Sequence, residues 1–131
     1  MAISPVTSQS RKIYQEIVNT AGHLVRKTNG GLLTIEFING SVIYFKSCEQ
    51  GDNVRGFTTK NSGILCVDEA AFINSDFFYN ICVPITNVYK SSIFLFSTPK
   101  YKQGLFYELY TDGLVPGSNV TSFDWTQYDL S

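Results

Sequence analysis

The sequence predicts an α/β sandwich built on a mainly parallel sheet, with one antiparallel hairpin added. Three observations carry that prediction. Segments with strand-like and helix-like patterning alternate along the chain. Two short apolar runs, "ILCV" at 64–67 and "SSIFLFS" at 91–97, have the character of strands buried inside a parallel sheet. The dipeptide Asn39-Gly40 divides two strand-like runs at the point where a tight turn needs positive φ angles.

The 131 residues suit a single domain, and 44% hydrophobic against 16% charged content supports a packed core rather than disorder. The 10 Phe and 8 Tyr are spread along the chain, as core and half-buried sheet positions would be. A net charge of −1 lacks the basic excess of a free-standing nucleic-acid binder, so any DNA contact would need other segments or subunits. Cys48, Cys66 and Cys82 are widely spaced and form no Cys-x-x-Cys or Cys/His cluster, which argues against a zinc site. Cys66 lies in an apolar run and reads as a small hydrophobe, with reduced thiols in an intracellular protein. The segment "MAISPVTSQSRK" has no signal-peptide core, and no apolar stretch approaches bilayer length. The expected location is therefore the cytoplasm, with no membrane partner.

The elements follow in order. "AISPV" is a short apolar strand, and Thr7 or Ser8 is placed to cap a helix after it. Ile13, Ile17, Val18, Ala21, Leu24 and Val25 recur at helical spacing and mark its buried face. His23, Arg11, Lys12, Arg26 and Lys27 form its solvated side. Asn29-Gly30-Gly31 breaks the helix, and "LLTIEFINGSVIYFKS" supplies the two strands of the hairpin. "CEQGDNVRGFTTKNSG" reads as a loop, and "ILCV" as a strand buried on both faces. "FINSDFFYNICVPI" is helical up to Pro84 with Ser75 as its cap, and "SSIFLFS" is a strand ended by Thr98-Pro99. "GLFYELYTDG" is a short helix closed by Gly113. Residues 1–115 form the core of one domain spanning 1–131, and 116–131 supply a last strand or a tail.

Candidate chemistry gathers at two strand ends. In parallel sheets, sites form beyond the carboxyl ends of the strands. Asp68 and Glu69 follow "ILCV" directly. Two adjacent acids there can divide the work: the first holds Mg²⁺, directly or through water, and the second orients and deprotonates a water that attacks a phosphoryl group. Four apolar residues followed by Asp-Glu is the Walker B pattern, although the pair alone also reads as surface acids at the start of a helix. "FLFSTP" ends another apolar strand, where Ser97 and Thr98 could sense a terminal phosphate or simply begin a turn before Pro99. Arg55, in the glycine-containing loop before the acid strand, could supply charge to a transition state or remain solvated.

Taken in order, "SPVTSQSRKIYQEI", "IEFINGSVIYFKS", "NVRGFT", "LCVDEAAFI", Pro84-Ile85, "FSTP" and "GLFYELY" resemble the ATPase domain of the phage large terminase subunit, the motor that packages viral DNA. The resemblance spans nearly the whole chain. It implies a P-loop NTPase fold of RecA-like type. It also implies ATP and Mg²⁺ as cofactors, and double-stranded DNA with a portal or small terminase subunit as partners. On this resemblance Asp68 is the magnesium-side acid, Glu69 the catalytic glutamate, Ser97-Thr98-Pro99 the coupling motif, and Arg55 an arginine finger or sensor. A cytoplasmic setting in a phage-infected or prophage-bearing bacterium follows.

The sequence departs from the family pattern in two respects. No glycine-rich Walker A loop ending in Lys-Ser/Thr is present, nor an acid cluster of the kind that marks the family's nuclease domain. The expectation is the middle of an ATPase core, from an expressed fragment, a decayed prophage reading frame or a split gene, and inactive alone. In the family, the strand bearing the phosphate loop lies beside the coupling strand. Without it, Ser91–Ser97 would present an open apolar edge that pairs with a second copy or is refilled locally. A non-catalytic remnant or assembly module and a helicase-type motor fragment are the alternatives.

Overall fold

The computed structural model describes residues 1–57, 59 and 63–124. Its centre is a six-stranded sheet in the order β2-β3-β4-β1-β5-β6. The strands are β1 (Ala2–Ser4), β2 (Val25–Asn29), β3 (Thr34–Phe37), β4 (Val42–Ser47), β5 (Ile64–Val67) and β6 (Ser92–Leu95). The β4–β1, β1–β5 and β5–β6 ladders are parallel, and β2–β3–β4 form an antiparallel meander. The sheet is thus mainly parallel among its central strands, as predicted, and the added hairpin is one strand longer than expected.

Register separates the two faces. Ala2, Phe45, Cys66 and Phe94 form one row across the parallel strands, and Ile3, Lys46, Val67 and Leu95 the next. Helix α1 (Thr7–Ala21) covers the first face over β3, β4 and β1. There Ile13, Ile17 and Val18 pack against a core of Tyr14, Leu33, Ile35 and Phe45, with Tyr14 edge-on to Phe45 at 5.6 Å between centroids. The second face carries the larger core. Ile3, Leu65 and Val67 are sealed there by Val54, Phe78, Ile81, Cys82, Ile85 and Leu105. Helices on both faces give three layers.

Several expected boundaries move, each for a local reason. Helix α1 stops at Ala21, not beyond Val25: Leu24 sits in a 3₁₀ turn (Gly22–Leu24) and Val25 opens β2. The Leu24 carbonyl accepts the Ile38 amide at 2.9 Å, so strand pairing captures the segment whose apolar spacing continued the helical pattern. Asn29-Gly30-Gly31 consequently turns one strand into the next, with Asn29 Oδ1 accepting the Gly31 and Leu32 amides. Neither Thr7 nor Ser8 caps α1. Val6 holds the cap position, and the Glu49 carboxylate accepts the Thr7 amide at 2.7 Å.

In the β3–β4 hairpin only Gly40 has positive φ (+86°). The Phe37 amide donates to the Ser41 carbonyl and the Gly40 amide to the Phe37 carbonyl, which makes a three-residue loop ended by a glycine bulge. The expected loop after β4 contains a 3₁₀ segment (Cys48–Gly56) broken at Gly51, where φ is +52°. Strand β5 is not buried on both faces. Leu65 and Val67 are enclosed, whereas Ile64 is 49% exposed because α1 does not reach across β5.

The helix after Asn74 passes through Pro84 rather than ending there. Helix α2 (Ser75–Phe77) runs through a π-helical turn (Phe78–Cys82) into α3 (Val83–Asn87). The Val83 amide donates to the Phe78 carbonyl, and this wider turn accommodates the ring and missing N–H of Pro84. Asn74, not Ser75, caps the helix through Oδ1 to the Asp76 amide at 2.7 Å. Strand β6 is shorter than the predicted 91–97. It forms the sheet edge, and no segment among the described residues pairs with its outer side, so the anticipated local refilling is not observed. Helix α4 (Leu105–Asp112) ends at Gly113 as expected. Residues 119–124 carry no strand, and the rest of the anticipated final strand lies outside the described residues.

Candidate functional site

Asp68 and Ser97 lie just past the carboxyl ends of β5 and β6, which pair in parallel with Val67 opposite Leu95. The Asp68 amide donates to the Ile3 carbonyl at 2.8 Å and so extends the β1–β5 ladder by one residue. The next residue turns sharply: Glu69 is left-handed, at φ 52° and ψ 46°. A non-glycine residue holds that conformation only where its surroundings impose it.

Here β6 imposes it. The Ala70 amide donates to the Phe96 carbonyl at 2.9 Å, and the Ala71 amide donates to Ser97 Oγ at 3.1 Å. Ser97 Oγ also donates to the Thr98 carbonyl at 3.2 Å. A third tie comes from Lys100, whose Nζ sits 4.3 Å above the Phe72 ring and 5.2 Å from the Tyr101 ring. The acid turn and the chain leaving β6 therefore form one hydrogen-bonded unit.

This unit borders an open crevice of about 980 Å³ between the acid turn and the first turns of α1. Gln9, Lys12, Glu16, Asp68, Glu69 and Phe72 contribute to its walls. Both acids are half-buried, and neither has an ion-pair partner among the described residues. Gln9 Nε2 donates to Asp68 Oδ2 at 2.7 Å. Sequence reasoning missed Gln9 and Lys12. Nothing in the local pattern of α1 marks them, because only the β1–α1 connection beside β5 brings them to the acids.

The predicted site residues are thus gathered unevenly. Asp68, Glu69 and Ser97 come together. Ser97 itself does not line the crevice, and Thr98 and Pro99 follow it, exposed and likewise outside the crevice wall. Arg55 is not brought to the acids. Its Nε pairs with Asp52 at 3.1 Å, and Gly56 and Phe57 after it line a second depression with Met1 and Ile64, at the amino ends of the strands.

Among the described residues no group of three or more His, Cys, Asp or Glu is placed to hold a metal ion. Mg²⁺ commonly binds through one or two carboxylates, with phosphate and water oxygens completing six ligands. One Asp68 oxygen beside an open crevice fits a magnesium ion that arrives with a nucleotide, and does not fit a resident ion caged by protein alone.

A family model described as "Terminase large subunit, T4likevirus-type, N-terminal" matches residues 6–129. The chain belongs to this large terminase family. Two solved structures share its fold. One is the large terminase ATPase domain of Thermus phage P74-26, with a TM-score of 0.67 at 20% identity. The other is an arginine-to-alanine mutant of that domain, with a TM-score of 0.64 at 19% identity. Each alignment covers 93% of this chain and 59% of the other, so this chain spans under two thirds of those domains. Comparison with curated proteins gives no match. Among the described residues no helix is long and apolar enough to cross a membrane.

Proposed function

We propose that the crevice beside Asp68 and Glu69 is the magnesium–nucleotide site of a DNA-packaging motor, and that this chain carries the hydrolytic and coupling half of it. The observation that supports this reading most is the joining of the acid turn to the end of β6 through the Ala70–Phe96 and Ala71–Ser97 hydrogen bonds. A phosphoryl-transfer site needs one group that holds the cation and another that orients the nucleophile, and a motor also needs the change in phosphate contacts to reach a movable element.

In this reading Asp68 presents its free oxygen toward a magnesium ion carried by ATP. The ion would neutralise phosphate charge. Glu69, turned out of the strand, orients and deprotonates the water. Ser97, Thr98 and Pro99 carry the coupling role, with Ser97 in contact with the acid turn. Arg55, remote from its own acids, would act as an arginine finger on a neighbouring subunit's site. Double-stranded DNA and a portal or small terminase subunit are the partners, in the cytoplasm of an infected or prophage-bearing bacterium.

The 131 residues contain no glycine-rich loop ending in Gly-Lys-Ser/Thr to cradle phosphates. The chain alone should therefore hold ATP weakly and not turn it over, and that absence favours the second reading, an assembly module without catalysis. Amide spectra recorded at millimolar ATP, with and without Mg²⁺, test the proposal. Magnesium-dependent shifts centred on residues 68–72 and 97 are expected, with loss of the magnesium increment in Asp68→Asn. Shifts confined to the opposite ends of the strands would overturn the site. Hydrolysis by the chain alone that disappears in Glu69→Gln would overturn the expected inactivity.

A further inference from the structure

The first turn of α1 is fastened at several points to the strand ends beneath it. Thr7 donates its amide to Glu49 and shares a hydroxyl contact of 2.8 Å with Ser47 Oγ. Ser10 Oγ, fully buried, donates to the Lys46 carbonyl at 2.7 Å. Gln9 lies between these anchors, so its side chain leaves a backbone that cannot shift readily. From there it crosses to β5 and meets Asp68 Oδ2.

The chemistry of the two groups fixes the sense of this bond. An ionised carboxylate only accepts, so the Gln9 amide must turn its NH₂ toward Asp68. The Asp68 backbone is itself held by its amide bond to Ile3. With main chain and Oδ2 both engaged, the carboxylate has little rotational freedom, and among the described residues nothing donates to its other oxygen, Oδ1. A neutral amide suits this task, because it orients the acid without bringing a positive charge that would compete with a cation. Lysine or arginine would satisfy Asp68 equally well but would neutralise it.

We propose that Gln9 is a positioning residue that holds the Asp68 carboxylate with Oδ2 occupied and Oδ1 directed to the cation. The consequence for metal binding rests on the function proposed above; the ordering of the side chain does not. Neighbours that orient a metal-ligating side chain typically contribute about 10–100-fold in metal affinity.

Two measurements on the intact chain separate these layers. Side-chain scalar couplings report the Asp68 rotamer, and Mn²⁺ added with millimolar ATP reports cation binding through paramagnetic broadening of the amides of 68–70. The wild type should show one Asp68 rotamer and broadening there, with Asp68→Asn removing the broadening. In Gln9→Ala the rotamer should average and the apparent Mn²⁺ affinity should fall about tenfold. A thermal melt of each variant identifies a merely structural role, which would lower the midpoint while leaving rotamer and affinity unchanged. An unchanged Asp68 rotamer in folded Gln9→Ala overturns the positioning role. An averaged rotamer with undiminished Mn²⁺ affinity overturns its link to the cation. Absence of broadening at Asp68 in the wild type sinks the magnesium assignment and that link together, while the rotamer still decides whether Gln9 orders the side chain.

Discussion

Glu69 carries backbone strain next to the residue that ends β5. Left-handed geometry at a non-glycine residue costs about 1 kcal/mol or more, and glycine removes most of that cost. Glu69→Gly should therefore raise stability by about 1 kcal/mol in urea unfolding, whereas Glu69→Ala should not. A gain on deleting a half-buried acid would mark a position kept for something other than folding. Glu49 gives a pH signature of a different kind. The Thr7 amide first, and its hydroxyl second, hold the Glu49 carboxyl below its ordinary value. The folded chain thus binds that proton less readily than the unfolded chain. The resulting stabilisation is fully present above the unfolded glutamate value of about 4.3 and is lost as pH falls through the lower folded value. Glu49→Gln should flatten that acid limb when unfolding is followed from pH 6 to pH 3. The positions of Asp68, Glu69 and Ser97 past strand ends were legible in the sequence because each follows an apolar run of strand length. Gln9 and Glu49 were not, since each acts on a residue about 40 or more positions away.

Among the elements, the helix beginning at Ser75 shows what single-sequence patterning can and cannot carry. Its existence was legible in "FINSDFFYNICVPI", whose Phe78, Ile81 and Cys82 are buried in the structure. Its end was misplaced because a proline normally stops a helix, and only the π turn lets this one continue to Asn87. Its cap was misplaced by one residue, since both Asn74 and Ser75 have the right chemistry. Asn74→Ala should cost about 1 kcal/mol in denaturant unfolding, and Ser75→Ala much less. Strand β2 was missed for the opposite reason. Only Val25 among its five residues is even partly buried, so no two-residue alternation announces it, and the apolar pair Leu24-Val25 prolongs the period of α1 instead.

At the level of the whole molecule, α1 covers one face of the sheet only over β1, β3 and β4. Beyond it Ile64, Phe94 and Phe96 each remain nearly half exposed, with the two phenyl rings stacked at 6.4 Å. Adjacent to them runs the side of β6 that no segment among the described residues pairs with. An apolar edge of this kind favours pairing between copies. We expect weak, concentration-dependent association in sedimentation velocity, relieved by Phe94→Asp with little change in the unfolding midpoint. A chain that stays monomeric at high concentration would remove that expectation. That the sheet is mainly parallel was foreseeable from the two apolar runs, but the order of its strands was not. The uneven covering of the sheet was not, because the sequence of α1 shows which of its sides is apolar but not how far across the strands it lies.

The hydroxyl of Ser97 receives the Ala71 amide while giving its own proton to the Thr98 carbonyl. One rotation about its Cα–Cβ bond would break both contacts together. The Ala70–Phe96 backbone bond would then be the hydrogen bond still joining the edge strand to the turn that carries Glu69.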